Sequence, residues 1–174
     1  MSGDVCLQGG AELQPGCESM DTAMLLGPDG APRRVLVAPF AGRAGREQEA
    51  AGGNARRWYT GLGAVDVTVS ADEPGAFAEA LRLLGDGLLV LPGGSPARLL
   101  EALAPHAVAL REAVAGGLAV SGASAGAMVL CQHTVLPGGT PRVVPGLGLV
   151  PVDLVLPHYR GSRDWLEAAR PSMP

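Results

Sequence analysis

Short runs rich in Val and Leu alternate along this chain with longer Ala-rich segments. This alternation is typical of strand–helix units built around a parallel sheet. The short runs predict strands near Val5–Gln8, Arg34–Pro39, Ala64–Ser70, Gly87–Pro92, Leu118–Ser121 and Asp153–Pro157. The longer segments predict helices over Cys17–Leu26, Glu47–Leu62, Pro74–Leu84, Pro96–Leu103, Ala107–Ala115 and Ala125–Gln132.

Two of the predicted strands, GLLVLP and GLAVSG, are apolar throughout, as expected for strands that helices cover on both faces. The stretch Thr134–Pro151 differs, because Pro and Gly interrupt its Val and Leu positions, and it predicts a small hairpin or loop excursion. No repeat or low-complexity linker divides the chain. We therefore expect residues 1–174 to form one doubly wound α/β domain, with a mostly parallel central sheet flanked by helices. In such a sheet the working site lies at the carboxyl ends of the central strands.

Length and charge narrow the class of protein. A chain of 174 residues can bury a full hydrophobic core without disulfides or metal ions. The net charge is −4 and all 13 basic residues are scattered arginines, which argues against nucleic acid as a partner. No apolar run approaches the ~20 residues of a membrane-spanning helix, and the N-terminus MSGDVCLQGG lacks the pattern of a signal peptide. We expect a cytoplasmic protein without a membrane partner.

The cysteines and histidines give no sign of a metal site. Cys6, Cys17 and Cys131 lack metal-ligand spacing, and the three histidines stand far apart. Isolated cysteines in a reducing compartment usually behave as small buried hydrophobic residues. We predict neither a metal ion nor a cofactor.

The strongest chemical signal is the segment GASAG, which places Ser124 between Gly122 and Gly126. This G-x-S-x-G pattern follows an apolar strand and precedes a helix, which is the context of a nucleophile elbow. A serine on so sharp a turn needs nearly bare neighbours two positions away, and both are glycine. The helix N-terminus that follows favours a developing oxyanion. Ser124 is therefore the predicted nucleophile.

A second glycine turn, in LPGGSP, follows the other strongly buried strand. Glycine lets the backbone approach a ligand closely and direct its N–H groups inward. We expect the N–H of Gly94, or failing that of Gly93, to form an oxyanion hole together with the N–H of Ala125.

A serine hydroxyl needs an adjacent base at neutral pH. His158 is the best candidate, because it ends the predicted strand Asp153–Pro157 and so falls at the edge of the sheet where Ser124 should lie. An acid should in turn orient the imidazole. Asp153, Asp164 and Glu167 are the nearby choices, and the sequence leaves open which of them, if any, serves.

Four segments, LQGGAELQPGCESMD, VLPGGSPARLL, SGASAGAM and DLVLPHY, together resemble the peptidase E and cyanophycinase family of serine peptidases. The resemblance implies the class I glutamine amidotransferase-like fold. It also implies Ser124 as nucleophile, His158 as base, and Gly94 with Ala125 as oxyanion donors. Glutamine amidotransferases carry Cys at the elbow and a His-x-Glu pair; here the elbow holds Ser124 and the histidine is followed by Tyr159-Arg160, which argues against ammonia transfer.

The resemblance also implies a substrate. Known members of this family cleave peptides next to an aspartyl residue, so a small aspartyl peptide is the expected partner, and a homodimer is left open. An acidic side chain needs a cationic partner, ideally a guanidinium. Arg98 and Arg160 lie closest in sequence to the predicted site.

This sequence differs from the family in one respect, the triad acid, and the difference leaves several functions open. Relatives take the triad acid from a later segment, and this chain stops at Pro174 before such a segment. Either the acid comes from elsewhere, or the chain is a shortened form that lacks this segment, or the domain is catalytically impaired. An esterase or amidase with the same elbow, and a non-catalytic binding relative, are the alternatives to a serine peptidase.

Overall fold

The computed structural model describes residues 3–73, 75–138 and 141–158, together with Glu167 and Arg170. Its strands are β1 Val5–Gln8, β2 Val35–Val37, β3 Val67–Val69, β4 Leu88–Leu91, β5 Ala119–Ala123, β6 His133–Leu136 and β7 Arg142–Pro145. Its helices are α1 Glu18–Leu25, α2 Arg46–Gly61, α3 Ala76–Leu84, α4 Pro96–Leu103, α5 Ala107–Ala115 and α6 Ala125–Leu130, with a 3-10 turn at Ala104–His106 before α5.

Five parallel strands form the central sheet in the order β1-β5-β4-β2-β3. Successive side chains of a strand point to opposite faces, and both faces of this sheet are buried. In β4, Leu88 and Val90 pack into the core on one face, whereas Leu89 and Leu91 pack into the core on the other. The predicted α/β fold with a mostly parallel, helix-flanked sheet is confirmed.

The strand order decides which loops meet. Because β1, β5 and β4 are neighbours and parallel, their carboxyl ends lie side by side at one edge of the sheet. The loops that follow these three strands therefore converge, although they are far apart in sequence. The described helices include none that is both long enough and apolar enough to cross a bilayer.

The irregular region after α6 contains the hairpin that its sequence predicts. Strands β6 and β7 pair antiparallel, and they form a separate two-stranded sheet. Helix α6 ends at Leu130, two residues earlier than expected, because Cys131 already has extended backbone angles. Strand β6 then begins at His133.

The predicted strand Asp153–Pro157 is wrong. This segment is irregular, and only its start is tied to the hairpin: the N–H of His133 donates to the carbonyl of Asp153 over 2.8 Å. Pro151, two residues before the segment, and Pro157, its last residue, supply no N–H for a sheet ladder. Its leucines pack instead beside Met128 and Val135, which explains why the segment is apolar although it is not a strand.

Candidate active site

Ser124 lies on the turn between β5 and α6. Its backbone angles, φ 49° and ψ −106°, fall outside the helical and extended regions that L-residues favour. The flanking glycines are required as predicted: a Cβ on Gly122 would lie 2.7 Å from the carbonyl carbon of Gly126, and one on Gly126 would collide with the carbonyl oxygen of Leu91. The Ser124 N–H donates to the carbonyl of Gln8 over 2.8 Å, which ties the turn to the end of β1.

His158 reaches Ser124 from the loop that follows the hairpin. Its Nε2 lies 3.1 Å from Ser124 Oγ, at hydrogen-bond distance. The His158 N–H donates to the carbonyl of Gly9 over 2.8 Å, and His158 itself has a φ of 51°. The imidazole packs against Gly10, where a Cβ would lie 2.5 Å from Nδ1. A backbone hydrogen bond to the loop after β1, rather than the end of a strand, therefore carries the histidine to the serine.

The glycine turn after β4 faces the same point. Gly94 has a φ of 142°, and a Cβ there would lie 2.7 Å from the carbonyl oxygen of Ala41. The Gly94 N–H donates to no other group in the part of the chain that the structure describes. The Gly93 N–H, in contrast, donates to Glu12 Oε1 over 2.9 Å. Ala125 is the first residue of α6, so its N–H has no acceptor within the helix.

A pocket of about 730 Å³ opens beside the serine and the histidine. Its walls are the loops after β1, β4 and β5 and one face of α2. On that face Ala51, Asn54, Arg57 and Trp58 lie three to four residues apart, so their side chains project together. The Arg57 guanidinium donates to the Asn54 side-chain oxygen at its rim.

Sequence reasoning missed both charged groups of this pocket, Glu12 and Arg57. The available signal for Arg57 was its position on the same helical face as Ala51 and Trp58. Glu12 had no comparable signal, because its side chain is directed by the backbone of an irregular loop.

The buried carboxylate of Asp21 holds Trp58, one of the residues that line the pocket. Asp21 is only 1% exposed, and it accepts hydrogen bonds from Trp58 Nε1 over 2.8 Å and from the Tyr59 hydroxyl over 3.2 Å. Burial raises the pKa of Asp21, the nearby charge of Glu18 raises it further, and the two hydrogen bonds act in the opposite direction. Asp21 thus fixes the indole that lines the pocket.

Among the residues that the structure describes, none of the acids considered for the triad forms a hydrogen bond or ion pair with His158. Asp153 Oδ1 lies 3.7 Å from His133 Nδ1, so this carboxylate is directed at another imidazole. Glu167 is exposed. Asp164 lies outside the described residues. Within the described ranges His158 Nδ1 forms no hydrogen bond with a carboxylate.

Of the two arginines named as carboxylate partners, the structure describes Arg98, and this residue does not line the pocket. Arg98 Nε donates to the carbonyl of Ala41 over 3.2 Å, and its guanidinium lies 3.9 Å from Glu47, so the side chain braces the loop after β2. Arg160 lies outside the described residues. Arg57 is the arginine that the structure places at the site.

The thiols of Cys6 and Cys131 belong to the core rather than to the site, whereas the Cys17 thiol donates to the carbonyl of Ala11 in the loop after β1. Burial raises the pKa of Cys131 to about 11, and burial is also the main cause that raises the pKa of Cys6. Over the ranges that the structure covers, no three His, Cys, Asp or Glu side chains come together as a metal-binding group.

A glycine-flanked serine within hydrogen-bond distance of a histidine, at the carboxyl edge of a parallel sheet, is an arrangement found in α/β hydrolytic enzymes. The family model of Peptidase family S51 matches residues 7–171, so the chain belongs to this family of peptidases. The predicted resemblance is confirmed at this level. The search of curated proteins finds no match.

Two solved structures share the fold. The crystal structure of a peptidase from an acI-B1 Actinobacterium matches with a TM-score of 0.80 and 24% sequence identity, over 100% of this chain and 76% of that chain. A putative peptidase E protein from Listeria monocytogenes EGD-e matches with a TM-score of 0.67 and 18% identity, over 98% of this chain and 88% of that chain. At such identities the likeness concerns the fold alone.

Proposed function

We propose that this protein is a serine peptidase that hydrolyses short peptides next to an aspartyl residue, with Ser124 as nucleophile and His158 as base. The observation that carries the proposal is the 3.1 Å distance between Ser124 Oγ and His158 Nε2, on a turn whose φ of 49° exposes the hydroxyl to a pocket of about 730 Å³. A strained nucleophile within reach of its base is the arrangement that serine hydrolysis requires.

The reaction follows from this pair. The Ser124 hydroxyl gives its proton to Nε2 as Oγ bonds to the substrate carbonyl carbon, and the carbonyl electron pair moves onto oxygen. Collapse of the tetrahedral intermediate breaks the C–N bond, and the imidazolium protonates the departing amine. Water then attacks the acyl-serine with His158 again as base, which releases the acid and restores the hydroxyl. The tautomer that starts the cycle carries its proton on Nδ1.

The oxyanion requires donors that are free in the resting state. Ala125 and Gly94 meet this requirement, since the first N–H has no acceptor within its helix and the second donates to no other described group. Gly93 is the weaker choice, because its N–H is engaged by Glu12. The proposed oxyanion hole is therefore formed by Gly94 and Ala125.

The aspartyl preference is assigned to Arg57. Its guanidinium lines the pocket and is held by Asn54 at the rim, where a planar fork of donors can bind a carboxylate in bidentate fashion. The substrate's acidic side chain would then lie along α2, and its carbonyl would lie over Ser124.

A fluorophosphonate probe tests the nucleophile. It should label the wild-type protein and not Ser124→Ala, whose melting temperature should be unchanged because loss of one hydroxyl at the edge of the sheet leaves no sizeable cavity. Turnover of aspartyl dipeptides beside a short-chain ester separates a peptidase from an esterase. Labelling or turnover that persists in Ser124→Ala would overturn the assignment.

Arg57→Gln tests the substrate class, with Arg56→Gln as the matched control. Arg56 is the adjacent arginine, but its Nε donates to the carbonyl of Val67, away from the pocket. Loss of a charge-assisted contact should lower kcat/KM for Asp-Ala about 10–100-fold in Arg57→Gln, and leave Ala-Ala unchanged. Equal losses for both dipeptides, or equal losses in both variants, would contradict the role of Arg57.

A further inference from the structure

Glu12 places a negative charge beside the proposed nucleophile. Its Oε1 accepts a hydrogen bond from the Gly93 N–H over 2.9 Å. A Cβ built on Gly93 would lie 2.5 Å from that oxygen and 3.2 Å from Ser124 Cβ, so the carboxylate and the serine flank the same point of the pocket. In the described part of the chain Glu12 forms no ion pair, and its second oxygen accepts no hydrogen bond.

The loop that carries Glu12 is held in a costly conformation. The residues on either side of it, Ala11 and Leu13, have φ values of 56° and 57°, in the left-handed region that L-residues avoid. Such backbone persists only where its surroundings fix it, and it is concentrated at functional sites. Two bonds fix it here: Gly9 accepts from the N–H of His158, and the carbonyl of Ala11 accepts from the thiol of Cys17.

The negative charge of Glu12 opposes the reaction proposed for Ser124. Attack by Ser124 creates an oxyanion, and the nearby Glu12 carboxylate raises the energy of that negative charge. The cost is removed when a cation binds between the two. A peptide with a free N-terminus brings its α-ammonium group one Cα atom away from the scissile carbonyl, which is where such a cation is needed.

The presence of Arg57 in the pocket also favours a substrate that carries an ammonium group together with a carboxylate. It lines the same cavity as Glu12, yet the two charges do not pair with one another. A positive and a negative group that remain separate in one pocket suit a ligand that carries both charges, as an N-terminal aspartyl residue does.

We propose that Glu12 is a specificity-determining residue that binds the α-ammonium group of the substrate, and that it confines hydrolysis to the bond following a free N-terminal residue. This assignment rests on the proposed function of Ser124. It goes beyond it in naming the group that distinguishes a free N-terminus from a blocked one.

Glu12→Gln tests the assignment, because glutamine keeps an acceptor for the Gly93 N–H and removes only the charge. The substrates are aspartyl p-nitroanilide and its N-acetyl derivative. The variant should lower kcat/KM for the free amine about 10–100-fold, and should leave the acetylated compound unchanged or faster, since the repulsion of the oxyanion is gone. Fluorophosphonate labelling of Ser124 should persist in the variant.

Glu18→Gln is the matched control. Glu18 also accepts from a backbone N–H, that of Gly16 over 2.6 Å, but it is exposed and does not line the pocket. Its variant should retain the wild-type preference for the free amine. Equal loss on both substrates in Glu12→Gln, or no loss on the free amine, would overturn the role of Glu12. Absence of probe labelling in the wild-type protein would instead overturn the proposed function, and this assignment with it.

Discussion

At the residue scale, glycines leave the space that the side chains of the proposed site occupy. Gly10 faces the His158 imidazole, so any side chain there would occupy the space of the ring. Its φ of 131° is a second reason for glycine, because L-residues rarely adopt this value. The sequence fragment QGG contains no catalytic side chain, yet its second glycine leaves the space in which the His158 imidazole lies.

Gly10→Ala should therefore displace the imidazole from Ser124. Misplacement of a catalytic group by about 1 Å costs on the order of 10²-fold, so we expect kcat/KM to fall by at least that factor. Gly9→Ala is the matched control, because a Cβ there meets nothing within 4 Å. Steady-state kinetics on an aspartyl substrate measures both; similar activities in the two variants would contradict the steric account.

At the scale of elements, the loop between β1 and α1 has a strained backbone, and this backbone positions the Glu12 side chain. Ala11 and Leu13 hold left-handed backbone that costs an L-residue about 1–2 kcal/mol each, and Glu12 between them meets the Gly93 N–H as a result. The strain is balanced by the loop's contacts with His158 and Cys17.

Ala11→Gly should make the protein more stable and less active. Glycine adopts the left-handed region freely, although its greater freedom in the unfolded chain offsets part of the gain, so we expect the free energy of unfolding to rise by up to about 1 kcal/mol. The loosened loop should hold Glu12 less firmly, and KM for a free-amine substrate should rise. Urea denaturation and steady-state kinetics provide the two measurements, and a variant less stable than wild type would refute the strain.

The elements differ in how well the sequence predicts them. Apolar runs predict β4 and β5, because strands buried on both faces require apolar residues. The glycines around Ser124 predict the elbow, because the tight turn leaves no space for a Cβ. The position of His158 depends on a hydrogen bond to Gly9, and the segment before it imitates a strand while packing as a loop. Glu12 depends on three consecutive backbone choices, which periodicity does not encode.

At the scale of the whole molecule, Asp21 connects α1 to α2 through the core. Its carboxylate, bonded to Trp58 and Tyr59, is among the few polar groups that the described core contains. Burial raises its pKa above the ordinary value of 3.8, so the folded protein holds this proton more tightly than the unfolded chain does.

Asp21 should accordingly make the protein less stable as pH rises. The stabilisation from its bound proton is complete below the ordinary value of 3.8 and is lost as pH passes through the raised pKa of the folded state. Asp21→Asn cannot titrate, so the difference in unfolding free energy between wild type and variant should decline over that interval. Denaturant titrations monitored by tryptophan fluorescence from about pH 4 to about pH 8 measure it, with exposed Asp29→Asn as control. Parallel pH curves for wild type and Asp21→Asn would exclude the effect.

The order of the strands also governs when the proposed site can assemble during synthesis of the chain. The first strand, β1, finds its neighbour only after β5 has been made, and at about 5–20 residues per second roughly 6–25 s separate Val5 from Val120. Ser124 is translated 34 residues before His158, its proposed base. On the proposed mechanism, a growing chain on the ribosome carries Ser124 without its base until His158 has also been translated.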